Sequence, residues 1–135
     1  MSIEAALEKA LFERLMAYAK LPPVAWPGLT FPAAGKSLPD QFIEPRIIRN
    51  PAINAAFDTR RYEGRLSVTL KTKIPTFSYN AALVAVGIAT HLNSQRVFVA
   101  EGIRITIQQP ATVLGDDLAD GWIIHPIACP ILAMA

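Results

Sequence analysis

The run Gly64-Arg65-Leu66-Ser67-Val68-Thr69-Leu70-Lys71-Thr72, followed by Tyr79-Asn80-Ala81-Ala82-Leu83-Val84-Ala85-Val86-Gly87-Ile88-Ala89, decides the fold class. The first run puts Leu66, Val68 and Leu70 on one side and Arg65, Ser67, Thr69 and Lys71 on the other. That two-residue period is the mark of a half-buried strand. Pro75 ends the strand and the period changes. The second run is helical in composition and apolar on nearly every side, so it needs cover on more than one face. One cover is the sheet that holds the strand; the other is a second helix or another copy of the chain.

Toward the amino terminus, Ile3, Leu7, Leu11 and Leu15, with Ala10 and Tyr18, repeat at helical spacing. Glu4, Glu8, Lys9, Glu13 and Arg14 supply the wet side, and Ser2 is suited to cap the start. This amphipathic helix is expected to end near Lys20, before Pro22-Pro23. Val24 to Trp26 reads as a short strand and Pro27-Gly28 as a turn. Residues 32–39 read as loop, and Gln41 to Arg49 as a strand whose Pro45 demands an edge or a bulge. Residues 50–62 read as a long excursion between two antiparallel strands, of a length that is usually functional or disordered in isolation.

Toward the carboxy terminus, Val97 to Ala100 and Ile103 to Gln108 flank Glu101-Gly102 as a tight hairpin. Residues 115–121 form an acidic loop. Trp122 to Leu132 is a last strand, apolar on both faces and broken by Pro126 and Pro130. The pattern is α+β: two helices against a mainly antiparallel sheet, with residues 1–135 as one domain.

Composition narrows the function. A formal charge of +2 does not by itself mark a nucleic-acid binder. Charged residues make up 18% of the chain, below the roughly 25% of an average soluble domain. Less surface is reserved for water, as in a subunit of an assembly. Glu4 and Glu8 interrupt any secretory signal pattern, and no apolar run approaches a membrane span. The single cysteine, Cys129, excludes an internal disulfide and sits among apolar neighbours as a packed thiol. The chain therefore reads as a soluble product of a reducing compartment.

No catalytic constellation stands out. His125 and Cys129, four apart in a strand, share a face but lie beyond hydrogen-bond reach of each other. His91 is placed to meet the last carbonyls of its helix. Asp116, Asp117 and Asp120 lack the spacing of a calcium loop and read as a solvated turn. Gly35-Lys36-Ser37 lacks the preceding glycine of a phosphate loop. No catalytic residue, metal or cofactor is expected, and no enzymatic activity. Arg46, Arg49, Arg60, Arg61 and Arg65 concentrate positive charge around the long excursion. They form either a solvated surface or the lining of a partner contact or passage, and Arg46, Arg49, Arg60 and Arg61 are the candidates for the latter.

The order of elements resembles a known family. It runs from an amino-terminal helix to Ala25-Trp26-Pro27-Gly28-Leu29-Thr30-Phe31-Pro32, a variable loop, a strand led by Gly64 and an alanine-rich helix. The closing strand is Trp122-Ile123-Ile124-His125-Pro126-Ile127. This resembles the tail terminator proteins of long-tailed bacteriophages, over most of the chain. Lys73-Ile74-Pro75-Thr76 departs from the family by lacking a glycine in the turn, and His91-Leu92 by ending the helix without an aromatic.

The resemblance implies a structural virion protein, built into the tail in the bacterial host cytoplasm. It implies a hexameric ring that caps the tail tube, stops its growth and offers the surface for head attachment. Its partners would be sister copies, the tail tube protein and head-tail connector proteins, with DNA passing the lumen without sequence-specific contacts and no membrane involved. A ring needs heterologous interfaces on two sides of each subunit. Ala81, Ala85, Ile88 and Trp122 are the expected subunit contacts; the small residues of the helix, Ala81, Ala82, Ala85, Gly87 and Ala89, let a neighbour's backbone approach, and tight core packing would use them equally well. Two alternatives stand beside this: another tail-tube or head-completion subunit, and a small homo-oligomeric ligand-binding domain with Trp26 and Trp122 lining its pocket.

Overall fold

A computed structural model describes residues 3–50 and 61–135. The elements are α1 (Ile3–Met16), β1 (Gln41–Arg49), β2 (Arg61–Lys73), α2 (Ser78–Asn93), β3 (Val97–Ala100), β4 (Ile103–Ile107), β5 (Thr112–Val113), β6 (Asp117–Ala119) and β7 (Trp122–Met134). All strands join one antiparallel sheet in the order β1-β2-β7-β4-β3, with β5 and β6 also paired to β7. The α+β class expected from the alternation is the class observed.

The two long strands β2 and β7 pair along their whole length, from Arg61 opposite Met134 to Lys73 opposite Trp122. Their core face carries Tyr62, Leu66, Val68 and Leu70 on β2 and Ile123, His125, Ile127, Cys129, Ile131 and Ala133 on β7, all buried. Both helices cover this one face. The stripe of α1 is Ile3, Leu7, Leu11 and Leu15, and that of α2 is Ala81, Ala85, Ile88 and Leu92, both buried at helical spacing. Each fully buried leucine or isoleucine contributes roughly 1.5–3 kcal/mol. Among the described residues, the opposite face of the sheet carries no helix.

Some boundaries differ from expectation. Helix α1 ends at Met16, and Val24 makes only an isolated parallel bridge to Ile43. Arg61 and Tyr62 belong to β2 instead of the preceding excursion. The 115–121 loop contains β6 and a tight turn to β7, with Asp120 at φ 52° and Gly121 at φ 83°. Two positive φ values in sequence are the primed hairpin geometry, which Asp-Gly favours. The expected Glu101-Gly102 hairpin has the same form, with φ 54° and 76°.

The last strand is not broken. Pro126 and Pro130 lie inside a continuous β7, although it is a central strand. Their carbonyls accept bonds from Leu114 N (2.8 Å) and Gln108 N (3.0 Å), on the side facing β4, β5 and β6. In an antiparallel strand a residue's N–H and C=O point the same way, so the missing proline donors would also point there. On that side β6 covers β7 from Trp122 to Ile124, β5 covers Ile127 and Ala128, and β4 covers it from Ile131 to Met134. Each proline falls in a gap between short partners, and the ladder to β2 stays intact.

Candidate assembly surfaces

Alternation along the strands builds the uncovered sheet face. On β7 it carries Trp122, Ile124, Pro126, Ala128, Pro130 and Leu132, all half-buried. Directly opposite on β2 stand Lys73, Lys71, Thr69, Ser67, Arg65 and Glu63, and opposite those on β1 come Phe42, Glu44, Arg46 and Ile48. The ring of Trp122 meets Phe42 edge-on at 5.3 Å, and Phe42 meets Phe31 at 5.1 Å. Lys71 bonds Glu44 at 3.1 Å and lies over the Phe42 ring. This face is an apolar band bordered by Arg46, Arg65 and Arg104, which are exposed. At the edge, β3 adds Val97 and Val99 to the same face, and Val99 is 74% exposed.

The helix side presents a second apolar surface. On α2, Tyr79, Leu83 and Val86 point away from the sheet, with Leu83 at 52% and Val86 at 50% exposure. Phe77, the residue at the start of α2, is also exposed, and its side chain gives the helix no capping bond. Beside this start lies an open cleft of about 450 Å³, lined by Phe77, Tyr79, Ala82, Leu114, Asp116 and His125 among others. His125 is buried and its Nδ1 has no hydrogen-bond partner among the described residues.

The helices are locked together at their carboxy-terminal ends. Arg14 donates to the carbonyl of His91 (3.1 Å) and to Ser94 Oγ (2.7 Å), and its guanidinium lies over Phe98. The ring of His91 stacks on Tyr18 at 5.0 Å, and its Nε2 sits 2.8 Å from the carbonyl of Arg14. Gly87 makes room for this, since a Cβ there would sit 2.5 Å from the Tyr18 hydroxyl. His91 thus does meet a helix carbonyl, but that of α1 and not of its own helix.

The sequence candidates fall in different places. Ala81, Ala85 and Ile88 are at most 1% exposed, packed against the sheet of their own subunit, so they cannot touch a neighbouring copy. The correction has a simple cause: α2 is apolar all round, and its small residues form the face that lies close on the strands. The outer face belongs to Leu83 and Val86. Trp122 does lie on the open sheet face. Arg46 is exposed there, without a charged partner among the described residues. Arg49 instead bonds Glu4 of α1 at 3.0 Å and covers the Tyr62 ring, and Arg61 pairs with Glu63. Arg60 lies outside the described residues. Arg46, Arg49 and Arg61 do not form one cluster.

Other candidates are also placed. Trp26 packs on Phe12 of α1 at 4.9 Å while Trp122 lies across the sheet on Phe42, so they share no pocket. Cys129 is buried, and burial pushes its thiol up to about 11. It sits on the face it shares with His125, one opposite Leu66 and the other opposite Leu70. Asp117 accepts a bond from the Leu118 amide, and Asp120 occupies the β6–β7 turn. No metal-binding group of acids, histidines and cysteine occurs among the described residues. No helix among them is long and apolar enough to cross a membrane.

No family model and no curated protein matches the chain. One solved structure, known only by a serial designation, is similar over 98% of this chain and 94% of its own, with 23% identity and a TM-score of 0.69. The likeness is one of fold.

Proposed function

We propose that this chain is a structural subunit of a long-tailed bacteriophage, a tail terminator whose copies close into a ring on the end of the tail tube. The observation that carries the reading is the pair of unlike apolar surfaces on opposite sides of the subunit. The sheet side offers Trp122, Ile124, Leu132, Val97 and Val99, and the helix side offers Tyr79, Leu83 and Val86. A heterologous ring needs two such different patches, whereas a two-fold dimer would leave one of them wet. The order of elements that resembles the terminator family supports the same reading. Tail tube and head-connector proteins are then the axial partners, and the exposed Arg46 and Arg65 stand on the sheet side.

The experiment is co-assembly with the tail tube protein of the same phage, followed by electron microscopy. Tubes capped at one end, with growth arrested, are the expected result. Tubes that grow unchecked with bare ends contradict the proposal.

The cleft at the start of α2 favours a second reading, a small ligand-binding domain. A buried histidine lining the cleft, its Nδ1 without a partner among the described residues, is a hydrogen-bonding group for a small guest. The discriminating measurement is nitrogen NMR of the His125 ring. A saturable shift with a metabolite, in a protein that never caps tubes, supports this second reading and contradicts the first.

A further inference from the structure

The two outer edges of the sheet differ in what they leave unpaired. On β1, Phe42, Glu44, Arg46 and Ile48 turn their peptide groups to β2, as the flanking bonds of Lys73 N to the Asp40 carbonyl and Asn50 N to the Glu63 carbonyl require. Ile43, Pro45, Ile47 and Arg49 therefore face outward. Ile43 is taken, since its amide donates to the Pro23 carbonyl and its carbonyl accepts from Ala25. Pro45 has no donor to offer. Among the described residues, Ile47 and Arg49 keep both groups free, with the Pro45 carbonyl beside them.

On the far edge, Ile107 N bonds the Arg96 carbonyl, which fixes Phe98 and Ala100 as the residues that pair with β4. Val97 and Val99 turn both peptide groups outward, and among the described residues nothing pairs with them. Neither proline nor lysine guards this strand, and Val99 is the most exposed large apolar side chain among the described residues. An edge of this kind is a template for another strand.

We propose that β3 of one copy pairs with the Pro45–Arg49 end of β1 in the next, extending the sheet from subunit to subunit. β1 and β3 run in the same direction within the sheet, so a neighbour related by rotation about an axis along the strands brings them together in parallel. Placing Val99 opposite Ile48 of the neighbour gives four bonds. The amides of Val97 and Val99 donate to the carbonyls of Pro45 and Ile47, and the amides of Ile47 and Arg49 donate to the carbonyls of Val97 and Val99. The pleat is continuous in this register. Val99 and Ile48 share the open face, and Phe98 and Ile47 share the helix-covered face. The missing donor of Pro45 costs nothing, because no acceptor stands opposite it. The occupant is thus a second copy, joined head to tail, and this rests on the ring reading above.

Proline tests the pairing cleanly. Val99→Pro removes an outward donor and spares the β3–β4 bonds, and Arg49→Pro does the same on β1 without touching the β1–β2 bonds. Circular dichroism should show both variants folded. Light scattering should show the wild type as a ring, each variant alone as a monomer, and an equimolar mixture as a dimer, because one intact edge of each kind remains. Val99→Cys combined with Ile48→Cys should give a ladder of covalent multimers on oxidation. A ring that survives both prolines and does not cross-link contradicts the pairing and leaves the ring reading standing. Loss of assembly with Val99→Pro alone, Arg49→Pro being unaffected, would mean a two-fold β3–β3 contact and would overturn it. A wild type that stays monomeric contradicts the pairing and the ring together.

Discussion

Gly64 shows how a single missing side chain decides strand spacing. A Cβ there would lie 2.3 Å from the carbonyl oxygen of Ile48 and 3.2 Å from the Cα of Arg49, both backbone atoms that cannot swing away. Gly64→Ala should therefore push β1 from β2 and cost about 1–3 kcal/mol in urea unfolding. An unchanged midpoint would contradict that close approach. Gly87→Ala should cost less, because only the far end of Tyr18 has to move. Cys129 gives a pH test at the same scale. Burial raises its thiol from 9.0 to about 11, so the folded state holds a proton that the unfolded chain gives up. This contribution is complete below pH 9 and is lost as pH rises toward 11. Stability measured by denaturant melts should fall across that window in the wild type and less steeply in Cys129→Ala. The sequence made the packed thiol legible through its apolar neighbours. It did not reveal the Arg14–His91 contact, because those residues lie 77 positions apart and no local pattern links them.

At the scale of elements, periodicity was a good guide where one face is wet and a poor one where neither is. The strand at Leu66, Val68 and Leu70 and the α1 stripe at Leu7, Leu11 and Leu15 could be read directly, since polar residues mark their outer sides. For α2 every face is apolar, so composition could not tell Ala81 and Ala85, which pack on the sheet, from Leu83 and Val86, which do not. β7 was legible as a strand, but its prolines suggested a break. The gaps that tolerate them are made by three short strands, and the Asp120-Gly121 hairpin signal that marks one of these was there to be read. These two observations make opposite forecasts for two substitutions. Pro126→Ala should leave the fold intact, whereas Ile127→Pro removes a donor to β2 and should unfold the chain, at a cost of about 3 kcal/mol or more. Far-ultraviolet circular dichroism distinguishes them, and a folded Ile127→Pro would contradict the ladder described for β7.

For the whole molecule, the pertinent feature is that, among the described residues, one sheet has a helix layer on one side only. Ordinary surface charge does not cover the rest: the open face keeps a band from Trp122 to Leu132, and α2 keeps Leu83 and Val86. In an isolated subunit, Leu83→Glu with Val86→Glu should change stability by no more than about 0.5 kcal/mol per site, since these side chains already touch water. In an assembly the same pair would bury two unpaired carboxylates and should prevent it. Equal melting midpoints together with loss of the larger species would locate the role of α2 between copies. A loss of stability in the subunit itself would place it inside.

The most direct measurement is the mass of the purified wild-type chain by multi-angle light scattering, repeated with the Leu83→Glu, Val86→Glu variant. A ring of about six subunits that falls to a folded monomer in the variant is the outcome expected for a subunit covered on two unlike faces. Identical masses for wild type and variant would contradict it.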